Sequence, residues 1–343
     1  METIWFCIVA VMIAMYVVLD GFDIGAGVTS LLVARNDTEK RQVLASIAPV
    51  WDGNEVWLIA GGGVLYFAFP KLYASSFQGF YLPLIMVLWL LMLRGLSIEL
   101  RNHLKSLVWT PLWDVVFGVA SLLLAVFLGA ALGNVVRGVP LDARGDFFLP
   151  LWTDFTASGE VGILDWYTVL VGLLAVATLT MHGALWVAMK TEGDFSNRVR
   201  NFGRGAWFGV FLLTILVTIA SFAIQPGLGQ SFADRPWGYI FPLLAAAGLI
   251  GVLLLGRRRE TEAKAFLSSC LFIVGMLTSV VQGVYPYVLP AVGNAANSLT
   301  IHNASAPEYG LTVGLAWWLP GMILVTGYFI FVYRRLAGRV NIG

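Results

Sequence analysis

The sequence predicts an all-α membrane protein, a polytopic transmembrane helical bundle of about nine spans that forms one integral membrane domain over residues 1–343. Three observations predict this fold. Hydrophobic residues make up 59% of the chain and charged residues only 12%, whereas soluble domains carry about 25% charged residues. The mean hydropathy is +0.81. Apolar runs close to the ~20 residues that cross a bilayer recur along the chain, and they leave no room for a soluble domain.

The predicted spans follow one another from the N-terminus to the C-terminus. They lie at about 4–33, 50–69, 79–100, 113–136, 163–189, 206–224, 237–255, 263–285 and 311–333. The first run has no basic leader and continues through Gly21 and Gly25, so we expect a retained span and not a cleaved signal. Because it exceeds the bilayer thickness, it should tilt, protrude or be interrupted at its glycines. The Gly21-to-Gly25 step and the run Gly61-Gly62-Gly63 suit close helix packing.

Lys and Arg divide unevenly between alternate connections, and this division predicts the orientation. Basic residues stay preferentially on the cytoplasmic side. One set of connections holds 16 of them: Arg35, Lys40, Arg41, Arg101, Lys105, Lys190, Arg198, Arg200, Arg204, Arg257, Arg258, Arg259, Lys264, Arg334, Arg335 and Arg339. The other set holds four: Lys71, Arg137, Arg144 and Arg235. The N-terminus is therefore expected outside and the C-terminus in the cytoplasm, which requires an odd number of spans and fits nine.

Acidic residues lie inside the first two spans, near the side predicted to be cytoplasmic. Asp20 and Asp23 are three residues apart, and so are Asp52 and Glu55, which places each pair on one helix face. Arg94, near the end of the third span, reaches the same depth. An ionised side chain at the bilayer centre costs roughly 2.5–3.5 kcal/mol, so such charges usually face a cavity, a partner or a conduction path. We therefore expect a functional polar site.

Two interpretations of this polar site are open. Carboxylates held out of bulk water beside an arginine can form a proton relay together with water molecules. Alternatively, Arg94 neutralises one carboxylate, and the others form a hydrogen-bonded network that only fixes helix packing or contacts a partner subunit. The presence of five charges at one depth favours the relay.

Other candidate sites are sparse. His182, in the fifth span, is a candidate haem ligand, although a lone intramembrane histidine is more often a hydrogen-bonded packing residue. Cys7 and Cys270 lack the paired spacing of a metal or redox site, and we expect no metal site. The net charge of +1, with basic residues dispersed among loops, argues against a nucleic-acid partner.

Several motifs in combination resemble one known family. They are Asp20-Gly21-Phe22-Asp23-Ile24-Gly25, Trp51-Asp52-Gly53-Asn54-Glu55-Val56-Trp57-Leu58, Arg94-Gly95 and Tyr285-Pro286-Tyr287-Val288-Leu289-Pro290. With these motifs the chain resembles subunit II of a cytochrome bd-type quinol oxidase, from its first span to its last outer loop. The block around Trp51 together with the block around Asp20 is specific, whereas either alone is a weak signal.

The resemblance implies a multi-pass subunit of a respiratory oxidoreductase in the bacterial cytoplasmic membrane. The complex would oxidise quinol, reduce O2 to water and generate a proton gradient. Two b-type haems and one d-type haem would lie in the partner, subunit I, so that this chain is haem-free and not catalytic alone. A small single-span subunit is a further partner that the resemblance allows, besides membrane lipids.

The resemblance also implies roles for individual residues. Asp23 and Asp52 would line a path that brings cytoplasmic protons toward the haems. Residues of the same motifs are further candidates for this proton path: Asp20, Asn54, Glu55 and Arg94. Trp57 would line an oxygen path.

Two other functions remain open from the sequence. A proton-coupled secondary transporter also places charges near the membrane midplane and breaks a helix at glycines, but it predicts two related halves, which the sequence does not show. The second is a purely structural scaffold for the haem subunit.

Overall fold

The computed structural model describes residues 1–104 and 106–340, and most of these are helical. In chain order the helices are α1 (Glu2–Val33), α2 (Asp37–Ile47), α3 (Trp51–Ala68), α4 (Pro70–Gly79), α5 (Tyr81–Leu100), α6 (Trp109–Arg137), α7 (Trp166–Lys190), α8 (Gly193–Ile224), α9 (Gly227–Asp234), α10 (Ile240–Leu255), α11 (Glu262–Val284) and α12 (Glu308–Arg335). Two short strands, β1 (Tyr287–Leu289) and β2 (Leu299–Thr300), pair antiparallel.

The predicted all-α membrane bundle is confirmed. Among the described residues, eight helices are long and apolar enough to cross a membrane. The helix at the second predicted span, α3, is not among the eight, because Asp52, Asn54 and Glu55 in its first turns lower its hydropathy. The count of nine spans and the orientation therefore stay predictions. Lys105, one of the basic residues on which the orientation rests, lies outside the described residues. Residues 341–343 of the predicted domain also lie outside them.

The bounds of the long helices agree with the predicted spans, with one large difference. Helix α8 begins at Gly193, whereas the predicted span begins at 206. The added turns carry Asp194, Arg198, Arg200 and Arg204. The apolar signal marks only the part of this helix that suits a bilayer, and the helix continues beyond it.

Helix α1 is the central element of the bundle and contacts α3, α6, α7 and α11. It is continuous over 32 residues, about 48 Å at 1.5 Å per residue. The expected alternative of an interruption at its glycines is therefore wrong. From Asp20 to Ser30 every residue is buried, as expected for a helix that is surrounded by others.

Helices α1 and α7 meet backbone to backbone beside the polar residues. A Cβ atom at Gly25 would lie 1.8 Å from the carbonyl oxygen of Leu179, and one at Gly183 would lie 2.2 Å from the carbonyl carbon of Gly25. Small residues permit such close crossings in membranes. The prediction of close packing is confirmed at Gly25. At Gly62 and Gly63 it stays a prediction, because no other described residue of this chain lies within 4 Å of a Cβ position there.

The two longest connections fold together over one end of the bundle. Val139 N donates to Pro290 O at 3.0 Å, and Val292 N donates to Val139 O at 2.8 Å. The side chain of Asn297 donates to Leu141 O at 2.9 Å. Apolar residues from both connections share one core with Trp5 of α1. This cap lies on the side that the distribution of Lys and Arg predicts to be outside.

Candidate functional site

Three buried polar side chains follow one another along a single face of α1. Tyr16, Asp20 and Asp23 have the spacing i, i+4 and i+7, which places them on one face of a helix. Tyr16 is 3% exposed, and both aspartates are 0% exposed. The sequence analysis did not single out Tyr16, although its spacing of four residues from Asp20 was a signal for it.

Arg94 of α5 contacts carboxylates from two other helices. Its Nη1 donates to Asp20 Oδ1 at 2.6 Å, and its Nη2 donates to Glu55 Oε2 at 2.9 Å. Arg94 and Asp20 are fully buried, whereas 21% of the Glu55 side chain is exposed. The structure thus brings together three of the residues that the sequence placed at one depth.

Asn54 of α3 links Asp23 to the last helix of the chain. Its Nδ2 donates to Asp23 Oδ2 at 2.8 Å and lies 3.4 Å from Leu19 O. Its Oδ1 accepts a hydrogen bond from Tyr333 Oη at 2.8 Å. Tyr333 was not foreseen, because no local spacing relates a residue at the end of α12 to the first spans.

Asp52 lies apart from the buried cluster. It is exposed in the first turn of α3 and makes no hydrogen bond or ion pair with any other residue that the structure describes. A carboxylate in this position is favoured by the helix dipole. The structure therefore places Asp52 at the surface of the chain, one helical turn from the partly exposed Glu55.

Several buried polar atoms around the cluster have no hydrogen-bond partner within the described protein. They are Tyr16 Oη, Asp20 Oδ2, Asp23 Oδ1, Trp57 Nε1 and Arg94 Nε. A buried donor or acceptor without a partner costs about 1–3 kcal/mol, and such atoms in native proteins usually bind ordered water. These five atoms therefore mark places where ordered water can bind within the cluster.

Trp57 lies one turn beyond Asn54 on α3, at the border between the polar cluster and an apolar region. It is 6% exposed and packs edge-on against Phe329 of α12, with 5.6 Å between ring centroids. Its apolar neighbours belong to the core cluster that contains Met12 and Tyr16. Further along α3, a groove of about 290 Å³ opens between α1, α3 and α12, lined by Trp5, Ala60, Gly63, Val64, Phe67, Gly314 and Trp318.

His182 uses both ring nitrogens for hydrogen bonds inside the chain. Nδ1 lies 2.7 Å from Ser269 Oγ on α11, and Nε2 lies 2.9 Å from Val18 O on α1. Its ring stacks on Phe266 with 4.7 Å between centroids. An axial haem ligand needs a free nitrogen, so these residues do not fit a haem at His182. Over residues 1–104 and 106–340, no group of three or more His, Cys, Asp or Glu could hold a metal ion.

A second buried arginine, Arg137, lies at the end of α6 under the cap. Its Nη1 donates to Gly162 O at 2.9 Å and pairs with the Asp165 carboxylate. Its Nη2 donates to Asn134 Oδ1 at 2.6 Å, and its Nε donates to Gly138 O at 3.2 Å. The other oxygen of Asp165 accepts the backbone N–H groups of residues 167 and 168 and so caps α7. The sequence analysis treated Arg137 only as a loop charge.

Ion pairs tie α2 to α5, α6 and α8 at the opposite end of the bundle. Arg101 donates to Asp37 at 2.7 Å and to Asp114 at 2.5 Å, and the hydrogen bond from Arg101 holds the pKa of Asp37 below its ordinary value. Burial acts to raise the pKa of Glu39, but hydrogen bonds from Arg198 and from the backbone of residue 35 outweigh it and lower that pKa. These carboxylates are ionised partners that hold helices together.

Comparison with known proteins identifies the family. The chain matches the family model of cytochrome bd terminal oxidase subunit II over residues 1–336. It is 29% identical to "Cytochrome bd-I ubiquinol oxidase subunit 2" of Escherichia coli (strain K12), over 98% of this chain and 94% of that protein. It is 30% identical to "Cytochrome bd ubiquinol oxidase subunit 2" of Bacillus subtilis (strain 168), over 99% of this chain and 97% of that protein.

A solved structure supports the same fold. The structure of bd oxidase from Geobacillus thermodenitrificans contains a chain that superposes with a TM-score of 0.75 at 16% identity, over 98% of both chains. The resemblance that the motifs indicated is therefore confirmed. The protein belongs to the cytochrome bd terminal oxidase subunit II family, and it is a multi-pass bacterial membrane subunit of an oxidoreductase complex.

Proposed function

We propose that this chain carries protons from the cytoplasm toward the oxygen-reducing centre of its partner, subunit I of a bd-type quinol oxidase. Reduction of O2 to water consumes protons as well as electrons, and quinol supplies the electrons. The observation that carries the proposal is the set of unpartnered buried polar atoms around Asp20, Asp23 and Arg94. Buried polar atoms of this kind bind water, and water molecules between carboxylates can relay protons.

The entrance of the proposed path lies at the start of α3. Asp52 is exposed there, and Glu55 is partly exposed one turn further along the helix. Glu55 shares Arg94 with the fully buried Asp20. In this proposal a proton that enters beside Asp52 passes through water to Glu55 and then to the polar groups further into the bundle.

Asp23 is the buried carboxyl best suited to gain and lose the transferred proton. Asp20 forms an ion pair with Arg94 and would have to break it on protonation. Asp23 makes no ion pair with another described residue and is held by the neutral amide of Asn54. Its second oxygen is buried and has no protein partner among the described residues. Arg94 and Asn54 thus hold the path in place while Asp23 exchanges the proton.

We also propose that O2 reaches the partner past Trp57. This proposal is supported by the position of Trp57 at the border of the polar cluster and by the apolar groove further along α3. O2 is apolar and partitions into such a groove from the lipid. Trp57 is not among the residues that line the groove, so in this proposal it lines the part of the route between the groove and the polar cluster.

The nine-span topology and the orientation are part of the proposal. Helix α3, with 18 residues, is about 27 Å long, close to the thickness of the hydrocarbon core. Counted as a span, it brings the number to nine and so puts the two termini on opposite sides of the membrane. The division of Lys and Arg between the connections then favours an N-terminus outside. The haem-free state of this chain is likewise proposed, supported by the hydrogen-bonded nitrogens of His182. Membership of an oxidase family removes support for the transporter alternative.

The test is the replacement Asp23→Asn in the complex assembled with the partner subunit. Asparagine keeps the shape of the side chain and removes the exchangeable proton, so we expect oxygen consumption to fall roughly tenfold or more while haem content stays at the parental level. Asp52→Asn should have a smaller effect, because water can replace an exposed carboxylate. Asp194→Asn, at an exposed position in the first turn of α8, is the matched control.

The outcomes separate the three functions that the sequence left open. Parental oxygen consumption and parental haem content in Asp23→Asn would show that this residue carries no proton. Loss of haem from the complex would indicate the scaffold role instead. A tagged chain that purifies in mild detergent without any haem-absorbing partner would contradict the oxidase function as a whole.

A further inference from the structure

Helix α12 packs loosely against the rest of the bundle over most of its length. Among its described residues only Leu311 is buried. Near its C-terminus, the side chain of Tyr333 reaches into the polar site and donates a hydrogen bond to Asn54. A helix with so little buried area needs specific contacts to hold that side chain in place.

A set of contacts that we call the C-terminal clasp provides this anchoring. The clasp joins Leu336, Arg339 and Val340 to the end of α7, to the residue before α8 and to the start of α11. Lys190 Nζ donates to Leu336 O at 2.7 Å, and Val340 N donates to Lys190 O at 2.9 Å. Arg339 contacts Glu192 at 2.6 Å and Glu262 at 3.6 Å. The clasp fixes the chain within a few residues of Tyr333.

The ring of Tyr333 is held by aromatic neighbours as well. It lies 6.2 Å from Phe329 on its own helix, nearly parallel, and 6.2 Å from Trp186 of α7, edge-on. Trp186 in turn stacks on Phe22 at 4.1 Å, and Phe22 is the residue before Asp23. The hydroxyl of Tyr333 is therefore aimed at Asn54 by contacts that do not depend on the hydroxyl itself.

We propose that Tyr333 is a positioning residue for proton transfer at Asp23, acting through the amide of Asn54. This inference rests on the proposed function. When Asp23 is ionised, the NH2 group of Asn54 must face it, and the Tyr333 hydroxyl donates to the amide oxygen. When Asp23 is protonated, the amide can turn so that its oxygen accepts from the carboxyl, and Tyr333 then accepts from the NH2 group. A hydroxyl both donates and accepts, so Tyr333 pairs with Asn54 in both states.

The variant Tyr333→Phe tests this role, because it removes the hydroxyl and keeps the ring between Phe329 and Trp186. We expect kcat for oxygen consumption to fall about five-fold, the effect of one hydrogen bond. The KM for quinol and the haem content should stay at parental values. Tyr328→Phe is the control, since Tyr328 is 61% exposed on the same helix and should keep parental turnover.

A double-mutant cycle decides whether Tyr333 acts through Asn54. If it does, Tyr333→Phe should have no further effect on kcat in an Asn54→Ala background. The same fold loss in both backgrounds, parental kcat in the single variant, or loss of haem would overturn the inference. If Asn54→Ala slows turnover but Tyr333→Phe does not, only the role of Tyr333 is wrong. If Asn54→Ala itself has parental turnover, the proposed path through Asn54 fails first.

Discussion

Arg94 and Arg137 are both buried, and each forms an ion pair with a fully buried aspartate. The two pairs differ in whether their remaining polar atoms have hydrogen-bond partners in the protein. Around Arg137, a side-chain amide, two backbone carbonyls and a carboxylate occupy all three guanidinium nitrogens. Its partner Asp165 uses both oxygens, one of them to cap α7. Around Arg94, by contrast, Nε has no partner within the described protein, and neither has one oxygen of Asp20.

The difference separates a fully satisfied network from a partly satisfied one. A fully satisfied buried network fixes the geometry of the elements that it joins. A partly satisfied one costs stability, and in a membrane such groups are usually retained for transport of ions or protons. Under the proposed function, two ion pairs of the same residue types have different roles, which depend on the atoms without a protein partner and not on the charges.

The largest expected effect is that of Arg137→Ala on assembly. The change leaves Asp165 buried without its partner, which costs about 3–5 kcal/mol. We expect little intact complex after extraction in mild detergent, measured by the haem that copurifies with a tagged chain. Arg144→Ala, whose parent side chain is 81% exposed, should give the parental yield. A parental yield from Arg137→Ala would remove the basis of the comparison.

The two asparagines beside these arginines should differ in the property that they affect. Asn134→Ala removes hydrogen bonds to Ala130, Ile163 and Arg137 and should lower the thermal stability of the complex by about 1–3 kcal/mol. The haem-normalised turnover of the molecules that remain folded should be parental. Asn54→Ala should show the reverse, with turnover reduced several-fold and a smaller change in melting temperature. Equal losses of turnover in both variants would contradict the distinction.

The smallest expected effect concerns Asp37, a half-exposed carboxylate that pairs with the buried Arg101. The hydrogen bond from Arg101 lowers the pKa of Asp37 from its ordinary value of 3.8. A carboxyl whose pKa is lowered in the folded state stabilises the protein at any pH above the ordinary pKa. This contribution is lost as the pH falls through the pKa of the folded state. The melting temperature of Asp37→Asn should therefore lie slightly below that of the parent at pH 7. The two should converge below about pH 3.8, and a constant difference down to acid pH would contradict the pairing.

Local spacing predicted the part of the site that lies on single helices. The positions of Asp20 and Asp23 on one face of α1, and the depth of Arg94, followed from helical periodicity and topology. Which carboxylates Arg94 contacts did not follow, because that depends on the rotation of three helices about their axes. The sequence grouped Asp52 with the buried charges, whereas the structure leaves it exposed.

Contacts between distant parts of the chain could not be predicted from the sequence for the same reason. The hydrogen bond of Tyr333 to Asn54 joins the last helix to the second predicted span. The burial of Arg137 depends on a cap formed by two connections that carry no periodic signal. The crossing of α1 and α7 was half predictable, since the glycines of α1 were visible but the partner at Gly183 was not.

Proton uptake by the assembled complex tests the central claim most directly. The fully reduced complex is mixed with O2, and the uptake of protons is followed with a pH-indicator dye in the parent, Asp23→Asn and Asp194→Asn. A proton path through Asp23 predicts that uptake slows in Asp23→Asn by the same factor as oxygen consumption, and that Asp194→Asn behaves as the parent. Parental uptake in Asp23→Asn, with haem content intact, would contradict the account.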